Sequence, residues 1–221
     1  MTDVGTMVAA ALAGVPAGVQ SLGPWAGRRQ LFVRFAGEAE TATMYTTTTL
    51  AHELERKQTR SHFHSIVIGG RDPLGNVPFL LAAFGMATPK LPVMVDTDGQ
   101  RPEELPQLLP HLAMTQVTVE FTGGDASHAR AIESLRVAAA AGCAHALVLA
   151  AREDTPDSQL LRLVQEAHGA SAATQVVIHP FQNPDAFNVL DRRWATVLEQ
   201  AVAVHADTRL GLRLPPPTGL R

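Results

Sequence analysis

Cysteine is almost missing from this chain: among 221 residues there is one, Cys143. A disulfide framework is excluded, and so is any zinc or iron–sulfur site built from several thiolates of this chain. Aromatic residues make up only 5%, too few for the stacking platforms that single-stranded nucleic acid uses. No block of Lys and Arg interrupts a net charge of −3, so the electrostatic footprint of duplex binding is absent and nucleic acid is not an expected partner. Long apolar runs are missing as well; none approaches the roughly 18 residues of a membrane span. The Ala-rich start carries Asp3 and no positive n-region, unlike a secretory signal. The expectation is a cytoplasmic protein without membrane contact.

What is present is a core and a rhythm. Apolar residues reach 46% against 18% charged, enough for one substantial domain. Short β-branched runs at 30–37, 65–70, 91–99, 115–121, 145–152, 174–180 and 208–214 alternate with helical patterns at 48–60, 77–87, 103–112, 128–142, 155–169 and 184–206. SIVIGG at 65–70 is apolar throughout, as in a strand buried on both faces. Thr47 or Thr48 suits the N-cap of the first helix and Ser127 that of HARAIESLRVAAAAG, with Gly142 at its C-cap. Pro106 interrupts the 103–112 segment. Strict alternation predicts an α/β fold with a parallel sheet. A partial (β/α) barrel of about six parallel strands fits, with a doubly wound sheet as the alternative. One domain over 1–221 is expected, with 1–20 and 215–221 irregular.

In such folds ligands gather at the C-terminal ends of the strands. Gly69, Gly70, Asp96, Asp98, Glu120, Arg152, Glu153 and His179 fall there. His62, His64, His145 and Cys143 fall at the opposite end, so the His-Phe-His of 62–64 reads as a strand entrance and not as a metal pair. Asp96 and Asp98 are two apart and share a strand face. They can hold Mg²⁺ or orient ligand hydroxyls, or form an Asx turn with Gly99. His179 is either an acid–base or ligand group or a hydrogen-bonded loop residue before Pro180. Asp96, Asp98 and His179 are the catalytic candidates.

VQSLGPWAGRRQLFVRFAG (19–37), IGGRDPL (68–74), VMVDTDG (93–99) and RLGLRLPPPTGLR (209–221) together resemble the 7-carboxy-7-deazaguanine synthases, radical S-adenosylmethionine enzymes of deazapurine biosynthesis. The likeness runs over nearly the whole chain. It implies a radical-S-adenosylmethionine-type barrel and the ligand-binding residues Arg34, Thr47, Gly69, Gly70, Asp72, Asp96 and Asp98. Arg34 matches a substrate-contacting Arg, and Thr47 a Thr beside Mg²⁺. The family's Cys-x₃-Cys-x₂-Cys follows the Gly that matches Gly37, and those positions hold Glu38, Ala42 and Tyr45. Three thiolates are needed for a site-differentiated [4Fe–4S] cluster. A carboxylate and a phenol are hard donors, and alanine is no donor at all, so no such cluster is expected. Ser21-Leu22-Gly23 replaces a Gly-Glu-Gly, Pro215-Pro216 a His-Lys. Arg71 or Asp72 stands where the family's Glu meets the S-adenosylmethionine ammonium; Asp72 there keeps the charge, whereas Arg71 repels the ammonium.

The leading expectation is therefore a cluster-less relative that binds a purine-like or nucleotide ligand, or serves as a partner subunit. A second is a hydrolase or lyase using Asp96, Asp98, Glu120 and His179, with or without a divalent metal. A third, an active synthase, would need donors from another chain. Homodimers are common in the family.

Overall fold

The computed structural model describes residues 8–60, 62–180 and 192–211. The chain opens with β1 (Ala9–Gly14), β2 (Ala17–Val19), β3 (Arg29–Phe35) and β4 (Thr43–Thr46), which runs into α1 (Thr47–Arg60). Alternation then sets in: β5 (Ser65–Gly70), α2 (Val77–Met86), β6 (Val93–Thr97), α3 (Leu105–Leu108), β7 (Met114–Val119), α4 (Asp125–Ala140). It continues through β8 (His145–Ala150), α5 (Asp157–Ala170), β9 (Gln175–His179), α6 (Arg192–Val204) and β10 (Thr208–Leu210).

All the strands belong to one sheet, in the order β10-β9-β8-β7-β6-β5-β3-β1-β4, with β2 paired to β3. Seven of them, β3 and β5 to β10, run parallel. β1 and β2 are antiparallel to β3, and β4 is antiparallel to β1. The parallel strands follow one another without the reversal that a doubly wound order requires. Among the described residues the sheet is open, with β10 and β4 at its edges.

Monotonic order places the helices on one face. Leu31, Val33, Ile66, Ile68, Val93 and Val95 meet α1, α2 and α3 in one cluster. Val117, Leu147, Leu149, Val176 and Ile178 meet α4, α5 and α6 in a second. The other face, hereafter the inner one, carries Phe32, Val67, Met94, Met114 and Ala146, covered by Trp25. Its cover is the β2–β3 connection. Gly27 N donates to Gln20 O and Gln20 N to Arg28 O, closing this loop on itself. The Gly23 N–H then reaches across the face to His179 Nε2 at 3.0 Å. Gly23 sits at φ +80 with the Gln116 amide oxygen 2.0 Å from where a Cβ would be, so only glycine brings the loop this close.

Several local expectations are corrected. Residues 9–14 and 17–19, expected to be irregular, are strands; Ala10 and Leu12 alternate into the core. Thr46, and not Thr47 or Thr48, caps α1, its Oγ1 accepting the Thr49 N–H at 3.1 Å. Helix α4 starts at Asp125 behind Gly124, so Ser127 lies inside the first turn. Pro106 sits in the first turn of α3, where no amide donor is needed. The break falls at a 3-10 turn over Leu109–His111, with Pro110 at its second position. The barrel expectation is met only as a mostly parallel, one-sided sheet. Residues 181–191 and 215–221, to which the last helix and the tail were assigned in part, lie outside the described residues. Among the described residues no helix is long and apolar enough to cross a membrane.

Gly70 ends β5 at φ +91, and a Cβ there would stand 2.2 Å from the Phe35 carbonyl oxygen. Gly27 has a similar φ of +82 but nothing within 4 Å. Gly27→Ala should therefore cost only the left-handed backbone penalty of about 1 kcal/mol. Gly70→Ala should cost about 3 kcal/mol or more, because it also pries β5 from β3. Urea unfolding of the two variants checks the difference.

Candidate functional site

The inner face ends at a polar mouth. Pleat alternation carries Arg34, Gly69, Asp96, Thr118 and His179 to it from β3, β5, β6, β7 and β9, with Arg34 beside Gly69 and Asp96 beside Gln116 in the ladders. A cavity of about 450 Å³ opens there, lined by Leu22, Asp96, Thr118, Glu120, Ser127 and His128 among others. A second recess of about 600 Å³ adjoins it, sharing Gly70 and Asp98 and bounded by Arg71, Asp72 and Arg101.

Asp96 is the chemical centre of the first cavity. Thr118 Oγ1 donates to its Oδ1 at 2.7 Å. Desolvation by burial raises its pKa above the ordinary 3.8; hydrogen bonds from Thr118, Gln116 and Gln20 pull the other way, and the Glu120 charge adds to the rise. The group is a carboxyl held toward its neutral form against a hydroxyl and two amides. Asp98 is exposed, and its Oδ1 accepts the Gln100 N–H at 3.1 Å. The Asx-turn alternative thus describes Asp98, while Asp96 faces the cavity.

The remaining family-matched residues are mostly tied to structural partners. Arg34 pairs with Glu40, whose other oxygen accepts the Gly37 N–H. Arg71 pairs with Glu38 at 2.7 Å. Asp72, at φ 45, takes both Arg101 hydrogen bonds at 2.7 Å and caps a 3-10 turn through Gly75 N. The Arg101 guanidinium holds its carboxyl below the usual range, with Gly75 N and Arg71 helping and burial opposing. Thr47 opens α1 and is not among the cavity-lining residues. Gly69 packs over Asp96, and Gly70 lines both recesses.

Of the positions matched to the cluster motif, Glu38 is exposed in its salt bridge, Ala42 is exposed, and Tyr45 lies in β4. Tyr45 packs against the core and donates its hydroxyl to Glu53 at 2.9 Å. Burial, then the Glu53 hydrogen bond and charge, raise its pKa. Cys143 precedes β8 at the far end of the sheet, its thiol directed at Leu112 O and Ala144 O and its pKa raised by burial. His64 stands at the entrance of β5, bonded to Ser65 and edge-on to Trp25. His179 is buried and accepts the Gly23 N–H. Among the described residues no three His, Cys, Asp or Glu side chains gather as a metal site.

Ser127 and His128 were not singled out by the sequence as site residues. His128 shares helical spacing with the buried Ala131, Ile132 and Leu135, and a histidine on an apolar stripe was the available signal.

Asp96 gives a pH prediction. Its folded-state pKa lies above the unfolded value, so the folded chain binds more protons in that window and stability falls as pH rises through it. Asp96→Asn keeps the Thr118 hydrogen bond and removes the charge. Its urea midpoint should exceed wild type above the window and converge with it below about pH 4.

No protein-family model matches the chain, and no curated protein matches its sequence. The chain is similar in structure to the crystal structure of QueE from Escherichia coli, a 7-carboxy-7-deazaguanine synthase. The TM-score is 0.55 at 12% identity, over 94% of this chain and 95% of that one. At that identity the likeness establishes the fold: a mixed α/β chain around a mostly parallel sheet, like that of QueE.

Proposed function

We propose that this protein is a cluster-independent relative of the deazaguanine synthases that binds a purine-like ligand in the mouth cavity. The observation that carries the reading is Asp96. Asp96 lines the cavity at the strand ends, and its carboxyl can meet the N–H groups along the edge of a purine. Thr118, Gln116 and Gln20 orient it, and the cavity volume suits a small heterocycle.

The donor set at the motif does not fit a [4Fe–4S] cluster. Glu38 is committed to Arg71 and Tyr45 to Glu53, Ala42 has no donor, and the single thiol is at the other end of the sheet. No step through a cluster or S-adenosylmethionine is assigned. Asp72 with Arg101 bounds the second recess, and Arg34 holds the loop after β3 through Glu40. The likeness to QueE supports the scaffold, and a pairing with another subunit or a second copy remains compatible with it.

The acid–base enzyme reading keeps one favourable observation: Asp96 and Glu120 line one cavity, and the Glu120 charge helps raise the Asp96 pKa. Without a third ligand among the described residues, its metal-dependent form has the weaker support.

Two measurements test the proposal. Anaerobically purified protein, reconstituted with iron and sulfide, should hold neither in stoichiometric amount after desalting; matching iron and sulfide would reverse the reading. Titration with adenosine and guanosine should show saturable binding of at least one. Asp96→Leu should weaken it about tenfold, as expected for a lost buried hydrogen bond of roughly 1.4 kcal/mol. Binding that ignores Asp96 would move the ligand elsewhere.

A further inference from the structure

One buried group of the mouth cavity packs without a hydrogen-bond partner. His128 is 3% exposed, and neither ring nitrogen has a hydrogen-bond partner. Its one aromatic contact is Phe121, edge-on at 5.8 Å. Burial of unpaired polar nitrogens is costly, and in folded proteins such groups call for a specific explanation. His128 lines the cavity together with Gly123 and Ser127. It stands in the first turn of α4, a helix of 16 residues whose N-cap, Gly124, has no side chain to satisfy the first amides. The acidic residue of that turn, Asp125, is drawn away by Arg162 at 2.6 Å.

A long uncapped helix start concentrates N–H donors and partial positive charge. A buried imidazole beside it adds a further donor, and Ser127 supplies a hydroxyl. This combination recognises a compact oxyanion.

We infer that the start of α4, with Gly123, Gly124, Ser127 and His128, is a subsite for a phosphate monoester, so that the ligand of the mouth is a purine nucleoside 5′-monophosphate. The base half of this inference rests on the purine reading above; the phosphate half rests on His128 and α4. Glu120 is exposed in the same cavity, and its carboxylate opposes the phosphate.

Calorimetric titration of the full chain at constant ionic strength decides it, using adenosine, AMP, guanosine, GMP and inorganic phosphate. At least one monophosphate should bind tenfold or more tightly than its nucleoside. His128→Phe, which keeps ring volume against Phe121, should reduce that ratio to near one, and His128→Gln, which restores a donor, should recover part of it. Glu120→Gln should increase the ratio. Equal affinity for nucleoside and monophosphate would overturn the phosphate subsite and leave the purine reading standing. Binding of inorganic phosphate and monophosphates that depends on His128, without nucleoside binding, would uphold the subsite and reject the purine base. No binding by any of the five would reject both.

Discussion

The hydrogen bond from the Gly23 amide to His179 closes a problem that the topology creates. A parallel sheet wound in one direction buries one face under its crossover helices and leaves the other bare. Closing into a barrel solves this in many proteins; here the sheet ends at β10 and β4. The loop between β2 and β3 takes over the task. It lays Trp25 over the apolar patch around Phe32 and Met94, comes within contact of Gln116 and Val148 at Gly23, and fastens itself to β9 through His179. The depth of this cover defines the mouth, because Leu22 forms part of the cavity wall beside Asp96.

The same economy shapes the segment after β3. Glu38 and Glu40 meet Arg71 and Arg34, tying the loop to the ends of β5 and β3. Such exposed ion pairs add little stability singly, but they fix where the loop runs. Residues 43–46 then pair with β1 and lead directly into α1. Tyr45 in this segment packs on the core and bonds Glu53, while Ala42 and Met44 stay exposed. Charge that the resemblance assigns to ligand contact, at Arg34 and Asp72, is spent on holding loops.

The alternation of apolar strands and helices was plain in the sequence, because buried parallel strands such as SIVIGG and HALVLA have no solvent face to confuse their pattern. Asp96 was legible from its place at a strand end. Less visible were β1 and β2, whose Ala- and Gly-rich stretches lack the β-branched residues that mark strands. Ser127 gave a plausible cap signal, yet Gly124 holds that place; the position of a cap depends on how the chain leaves β7, which local chemistry does not specify. That His179 is a hydrogen-bonded residue was among the expectations, but not that it accepts from Gly23, 156 positions away. His128 was hidden for the opposite reason: a helix stripe accepts a histidine without altering its period.

The cover of the inner face also has a history in time. Its residues precede in sequence the strands β3, β5, β6, β7 and β8 that they rest on, and its anchor His179 follows Gly23 by 156 positions. Until β9 joins the sheet, Trp25 and the patch beneath it have only a partial seat. The β2–β3 loop is therefore fixed on the inner face only once β9 has joined the sheet, and the cavity wall that Leu22 supplies depends on that long-range contact.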